Sequence, residues 1–260
     1  MFGVLYLSNP EPRGFPRFPS SGNSLSILQP LSSKATPPQE FSLKVQKTAR
    51  YYTVGELGEQ TRYLWLCCHG YGQLGQHFAR RFDAIADEAH LVVAPEGLNR
   101  FYWQEGKERR PAATWMTSHA RQDEIADYTA YLEQVIINIR RTAPQPLQLI
   151  LFGFSQGTQT IWRYLYDRCP DLAAIIMYAG TIPDDLDYST HTDYLAPIPK
   201  LFAVGDQDEF LTPRNLSRYE TFLDQLPSEL GFQRLDFSGE HRIYRSVLRD
   251  IKQRVLKTIE

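Results

Sequence analysis

Apolar residues along this chain fall into short runs of strand length, separated by stretches in which they return every third or fourth position. The strand-like runs are "FSLKV", "RYYTV", "YLWLCC", "HLVVAP", "LQLILF", "LAAIIMYAG", "PKLFAVG" and "FQRLDF". Several are continuously apolar, the pattern of parallel strands covered on both faces, whereas the first two alternate or carry charge, as antiparallel edge strands do. Helical spacing is clearest from Thr117 through Ile125, Tyr128, Leu132, Val135 and Ile139. Asp123 and Glu124 lie early in that stretch and Arg140 and Arg141 at its end, an order that complements the helix dipole. Thr212-Pro213 announces another helix, a cap followed by proline at the first helical position, which stops at Pro227. A last helix carries Ile243, Val247, Leu248, Ile251, Val255 and Ile259 on one face. Alternation of this kind predicts a doubly wound α/β domain: a mostly parallel sheet of about eight strands, helices on both faces, and ligands outside the carboxyl ends of the strands.

Residues 1–38 break the pattern. Seven of the chain's seventeen prolines lie there with little apolar periodicity, which reads as a flexible leader before a domain over 39–260. The leader is acid-poor and carries Arg13, Arg17 and Lys34, as a transit peptide does, but a segment without a folded role, or a start codon placed too far upstream, is the preferred reading. The opening "MFGVLYL" is too short an apolar run, and too little preceded by positive charge, for a signal peptide or a membrane span. Stable membrane insertion is therefore not expected.

With 260 residues and a formal net charge of -2, the chain lacks the basic excess that phosphate backbones demand, so nucleic acid is not an expected partner. Its three cysteines, Cys67, Cys68 and Cys169, read as buried thiols, the adjacent pair pointing to opposite faces of a strand. An odd count without Cys-x-x-Cys spacing argues against a disulfide framework and a zinc site, and fits a reducing, cytoplasmic compartment.

The chemistry concentrates at Gly153-Phe154-Ser155-Gln156-Gly157, directly between a buried strand and a helix. Glycines at both ends let the two elements approach closely while the serine is held in a strained turn with its hydroxyl exposed, and the amide of Gln156 at the helix start can donate to an oxyanion. The plainer alternative is a tight turn in which Ser155 only caps the helix.

A nucleophilic serine needs a base. Of the six histidines, His241 follows the last strand at the carboxyl edge of the sheet, where Ser155 also emerges. His77 and His90 fall in a helix and at a strand start, and His119 and His191 have no anchor at the sheet end. No pair has His-x-x-x-His spacing, so no metal or other cofactor is expected. The acid that orients the imidazole should follow "PKLFAVG", where Asp206, Asp208 and Glu209 are available. Asp208 is preferred, because the loop must carry the acid away from the strand end, leaving Asp206 to hold the loop by local hydrogen bonds. Upstream, "LCCHGYGQLGQHF" is another strand entering a glycine-rich turn. Its Tyr71 amide can be the second oxyanion donor, with His69 bracing the turn.

His69-Gly70-Tyr71-Gly72, the Gly153–Gly157 turn, Gly205 with Asp208, and Gly239-Glu240-His241, in this order, resemble the phospholipase/carboxylesterase branch of the α/β-hydrolases, which includes the acyl-protein thioesterases. The resemblance spans about residues 60 to 260. It implies the α/β-hydrolase fold, Ser155 as nucleophile, Asp208 as acid, His241 as base, and the Tyr71 and Gln156 amides as the oxyanion hole. Two positions depart from the family pattern: Gln73 stands where an aspartate is frequent, and Thr158 where a second glycine is frequent. The substrate expected is a small carboxylic ester of short to medium acyl chain, with thioesters and lysophospholipids as rivals and a catalytically silent ligand binder as the alternative of another class. The long connection "EGLNRFYWQEGKERRPAATWM" supplies Phe101, Tyr102, Trp103 and Trp115, which either line a pocket above Ser155 or tuck the loop onto the surface. Trp103, Trp115 and Phe210 are the pocket candidates. A second insertion, "TIPDDLDYSTHTDYL", is expected to form the opposite wall.

Overall fold

In the computed structural model, which describes residues 38–259, the continuous apolar runs form the middle of one sheet. The chain makes β1 (Tyr51–Val54) and β2 (Tyr63–Cys68), passes through α1 (Gly75–Ala79) into β3 (His90–Pro95), and then folds a hairpin from β4 (Asn99–Glu105) and β5 (Glu108–Thr114). The long helix α2 (Arg121–Thr142) leads to β6 (Gln148–Phe154), α3 (Gln156–Arg168) and β7 (Ala174–Tyr178). A short α4 (Thr192–Leu195), then β8 (Lys200–Gly205), α5 (Pro213–Leu223), β9 (Gln233–Phe237) and α6 (Arg245–Ile259) complete the order. Seven strands make the sheet, in the order β1-β3-β2-β6-β7-β8-β9. β1 runs antiparallel to β3 and every other pairing in it is parallel.

The strand expected at "FSLKV" does not form. Phe41, Leu43 and Val45 are 87, 87 and 77% exposed, so alternation there meets no surface to cover. The expected leader falls outside the described residues except for Pro38, and the residues from Lys47 onward form one compact unit.

Successive strand residues face opposite layers. Leu64, Leu66 and Cys68 of β2 pack with Tyr128 of α2, Ile161 and Trp162 of α3 and Tyr219 of α5. Tyr63, Trp65 and Cys67 pack with Phe78 of α1 and with Leu248, Ile251 and Val255 of α6. Helices thus cover both faces. Burial pushes both the Cys67 and Cys68 thiols up, which suits packing rather than reactivity. Cys169, by contrast, is exposed, because the chain leaves α3 there in a left-handed conformation at the surface.

Helix ends match the sequence signals with small shifts. α2 starts at Arg121 rather than Thr117, with Asp123 and Glu124 in its first turn and Arg140 and Arg141 in its last. Thr212 caps α5 by accepting from the Asn215 amide, with Pro213 in the first turn, but the helix ends at Leu223, short of Pro227. The loops after β2, β6, β8 and β9 all leave the carboxyl edge of the parallel sheet. They carry the chemistry.

Candidate active site

β6 is central in the sheet and delivers Ser155 at its end. Ser155 has φ 54 and ψ -118, a conformation that L side chains rarely adopt and that costs of order 1–3 kcal/mol. Neighbouring contacts enforce it. A Cβ at Gly157 would fall inside the Cys68 carbonyl, and one at Gly153 would lie 2.5 Å from Thr158 Cα. The Ser155 amide is tied to the Tyr178 carbonyl at 3.0 Å, and its side chain makes no capping bond to α3. The plainer alternative of a capping serine therefore fails.

Instead, Ser155 Oγ lies 3.0 Å from His241 Nε2, and His241 Nδ1 lies 2.7 Å from Asp208 Oδ2. The other Asp208 oxygen accepts from the amides of Phe210 (2.8 Å) and Leu211 (3.1 Å). Burial pushes the Asp208 carboxyl up, but the hydrogen bond from His241, its charge and those two amides outweigh burial and hold it below the usual carboxylate range. An ionised Asp208 can only accept, so Nδ1 carries the proton, and Nε2 of the neutral ring accepts from the Ser155 hydroxyl. The rings of Phe154 and Phe210 flank the imidazole at 5.0 and 4.5 Å. Asp206 does not compete for it: its Oδ1 accepts from the Gly239 amide at 2.9 Å, which ties the β8 loop to the β9 loop rather than folding the β8 loop on itself. Glu209 is exposed.

The turn after β2 approaches from the other side. His69 is fully buried, and burial pushes it down to about 4. It is neutral, its Nδ1 proton donating to the Gly70 carbonyl (2.8 Å) while Nε2 accepts from the Gly97 amide (2.9 Å). His69 thus braces the turn. Gly72, at φ 77, donates to the Ala113 carbonyl of β5, and a Cβ there would lie 2.9 Å from the Trp103 ring. Among the described residues, the amides of Tyr71 and Gln156 have no protein acceptor.

The long connection is not a loop but the β4–β5 hairpin, closed at Gly106 with φ 59. Trp103 covers Gly72, and the Tyr71 ring sits 5.2 Å from Phe101 and 5.6 Å from Trp103. Trp115, expected in the pocket, is wholly buried instead: its indole N–H donates to the His69 carbonyl at 2.8 Å, so it supports the turn from below. Phe210 remains 57% exposed beside His241. The second insertion is anchored by Asp185, which pairs with Arg163 and Arg121. Gly180, just before it, packs so closely on Ser155 that a Cβ would meet the Ser155 carbonyl at 2.5 Å.

A protein-family model described as serine hydrolase (FSH1) matches residues 60–246, which include every site residue named above. The chain belongs to the FSH1 serine hydrolase family. No curated protein matches it by sequence. Among solved structures, acyl-protein thioesterase 2 of Zea mays is similar over 82% of this chain and 100% of its own, with 13% identity and a TM-score of 0.61. A Bacillus cereus carboxylesterase is similar over 81% of this chain and 94% of its own, at 11% identity and a TM-score of 0.54. Arabidopsis thaliana SOBER1 is similar over 77% and 100%, at 15% identity and a TM-score of 0.55. At such identities the likeness is one of fold, and the fold is that of the α/β-hydrolases.

Three supports of this serine hydrolase site escape sequence reasoning. Gln73, a departure from the family pattern, turns its side chain back so that Oε1 accepts from the Gly70 amide at 2.9 Å, holding the turn as a short acid would. The Gln156 side chain stitches the end of β5 to α3, accepting from Thr114 Oγ1 and the Trp115 amide and donating to the Met116 carbonyl. Glu96 is buried at the end of β3 and receives the Gly75 amide and the Arg100 guanidinium. Thr158, the other departure, donates to the Gly153 carbonyl. The Gln156 bonds and the Gly75–Glu96 bond have no local pattern to announce them, because their partners come from distant parts of the chain, whereas Gln73 and Thr158 bond within their own turns. Among the described residues, no group of three or more His, Cys, Asp or Glu side chains is placed to hold a metal ion.

Proposed function

We propose that this serine hydrolase cleaves carboxylic esters of short to medium acyl chain by two-step acyl transfer, with Ser155 as nucleophile, His241 as base and Asp208 as the orienting acid. The observation that carries the proposal is the unbroken chain from Ser155 Oγ to His241 Nε2 (3.0 Å) and from His241 Nδ1 to Asp208 Oδ2 (2.7 Å). Ser155 Oγ attacks the ester carbonyl as Nε2 takes its proton, and Asp208 stabilises the imidazolium. Negative charge developing on the carbonyl oxygen is met by the Tyr71 and Gln156 amides, each worth about 10²- to 10³-fold in rate. His241 then gives its proton to the departing alkoxide, and a water activated by the same ring releases the acid from the acyl-serine. None of these steps calls for a group beyond the chain and water.

The reading of a silent ligand binder is weakened by the same geometry, since a strained Ser155 costs stability that binding alone does not require. Among the described residues no helix is long and apolar enough to cross a membrane. The free thiols of Cys67, Cys68 and Cys169 support a cytoplasmic setting.

Steady-state hydrolysis of p-nitrophenyl esters of increasing chain length, with thioester analogues alongside, tests the proposal. The expected result is highest kcat/KM among short to medium oxygen esters, with loss of turnover in Ser155→Ala. Folded wild-type protein that turns over none of them overturns the ester reading, and a preference for thioesters replaces it.

A further inference from the structure

We infer that the cleft between α1, β5 and the loop following His241 is a subsite for an anionic group, a carboxylate or a phosphate, on the leaving-group half of the substrate; this rests on the serine reading above. The cleft encloses about 330 Å³ and is lined by His77 and Arg81 from the α1 region, Arg110 from β5, and Arg242, with Phe78 and Ile243 among its apolar walls. That is room for a small polar group with a few carbons. No acidic side chain lines it.

Some arginines elsewhere are paired, Arg100 with Glu96, Arg163 with Asp185, Arg245 with Asp83 and Arg234 with Glu220, while others such as Arg109 and Arg218 have no ion pair among the described residues; what sets the cleft apart is that three arginines line one concavity. Among the described residues, neither Arg81 nor Arg110 has a carboxylate partner, and the one carboxylate beside Arg242 is Glu240, at 3.4 Å with both side chains more than half exposed, while its Nε donates to the Tyr244 hydroxyl at 3.0 Å. Three arginines lining one cleft, only Arg242 of them with a carboxylate beside it, make a concave positive field, and their planar donor forks match a carboxylate or phosphate edge. Arg110 is held in place over the Trp103 ring, 5.9 Å from its centroid, and Trp103 in turn covers Gly72 of the turn that bears Tyr71.

The cleft's position decides which half of the substrate reaches it. The leaving oxygen must come within hydrogen-bond reach of His241 Nε2 to be protonated, so the departing half lies along the loop that carries His241. Arg242 is the next residue on that loop, and Gln73 and Leu74, which follow the Tyr71 turn, line the cleft from the other side. An anion tethered a few bonds from the scissile oxygen would bridge the two. No covalent step is added: the anion is held while the ester is cleaved, and its repulsion-free release follows once the alcohol is protonated and diffuses away.

Butyryl esters of 2-hydroxyethyl phosphate, of 3-hydroxypropanoate and of 1-propanol test this, since they share the acyl group and differ in the leaving group. The expected ratio of kcat/KM, anionic over neutral, is about tenfold or more at low salt, carried mainly by KM, the size expected of a charge-assisted contact. It should shrink as sodium chloride is raised. In Arg81→Gln with Arg110→Gln the ratio should fall toward one, while Arg81→Lys, which keeps the charge, should retain most of it. The larger of the two anionic ratios names the source as carboxylate or phosphate. A wild-type ratio of one or less for both anions, or a ratio that survives the double variant, overturns the subsite. Labelling Ser155 with a fluorophosphonate separates the two claims: labelled protein without an anionic preference loses the subsite alone, and protein that is neither labelled nor active loses the serine reading and the subsite together.

Discussion

Asp206 Oδ1 accepts a hydrogen bond from the Gly239 amide at 2.9 Å, two residues ahead of Asp208 on one loop and two ahead of His241 on the other. The Gln207 amide returns a bond to the Gly239 carbonyl at 3.0 Å, so the acid and the imidazole are registered by their carriers before their side chains meet. Gly205 makes this approach possible, since a Cβ there would collide with the Gly239 carbonyl. Asp206 is expected to act as a positioning residue. Asp206→Ala should lower kcat by about tenfold through misplacement of His241 and destabilise the fold by about 1–3 kcal/mol. Asp206→Asn, which keeps the acceptor oxygen, should stay near wild type in both kinetics and urea unfolding. Equal damage from the two variants would remove the positioning role.

Asp208→Asn should leave the fold intact and remove most activity. An amide oxygen can still accept from Phe210 and Leu211, but it can neither stabilise an imidazolium nor hold the Nδ1 tautomer as firmly, and a loss of about 10⁴ in kcat is expected. Thermal unfolding alongside ester turnover checks it. A loss of less than tenfold in a folded variant contradicts the role given to Asp208.

Gln73→Ala leaves the Gly70 amide without its side-chain acceptor, one residue before Tyr71. The oxyanion turn should loosen, with kcat reduced by about tenfold and KM little changed, because the affected contact forms as charge develops on the carbonyl. Gln73→Asp, the commoner acid of the resembled family, should recover part of the loss. Unchanged kcat in the alanine variant would show that Gly72, through its bond to Ala113, holds the turn unaided.

Acid should destabilise this protein between pH 6.5 and 4. Burial holds His69 at about 4 and His90 also at about 4, against an ordinary value near 6.5. Below pH 6.5 the unfolded chain takes up these protons and the folded chain does not, so stability is full above that pH and falls as pH approaches 4. For His69 alone the loss amounts to about 3 kcal/mol. Below pH 4 both states are protonated and the histidine contribution levels off. Urea midpoints across this range should fall with pH, and His90→Asn, whose side-chain oxygen can take the Trp65 indole proton in place of Nδ1, should flatten the slope. A slope unchanged in that variant would assign the acid sensitivity to other groups.

The turn at Ser155 was legible in the sequence because all of its requirements are local: a continuous apolar strand, glycines on either side, and a helix pattern immediately after. His241 and Asp208 were legible through chain order and the ends of strands β9 and β8. The β4–β5 hairpin was not, since Arg109-Arg110-Pro111 interrupts the apolar alternation of β5 and the surface its Phe101 and Trp103 rings pack on, Tyr71 of the turn after β2, comes from a distant part of the chain. "FSLKV" shows the reverse error: Phe41, Leu43 and Val45 alternate as a strand would, yet period two specifies a strand only where a neighbour offers an edge. Trp103 and Trp115 look alike in sequence. Which of them is buried depends on the His69 carbonyl, which attracts the Trp115 indole from forty-six positions away.

Catalysis by this chain would depend on the reactivity of one hydroxyl. Incubation with a fluorophosphonate followed by peptide mass spectrometry reads it directly: the phosphonyl adduct should appear on Ser155 in folded protein, and Ser155→Ala and His241→Ala should both lose it. An adduct mapped to another serine, or none on folded wild-type protein, would contradict the account.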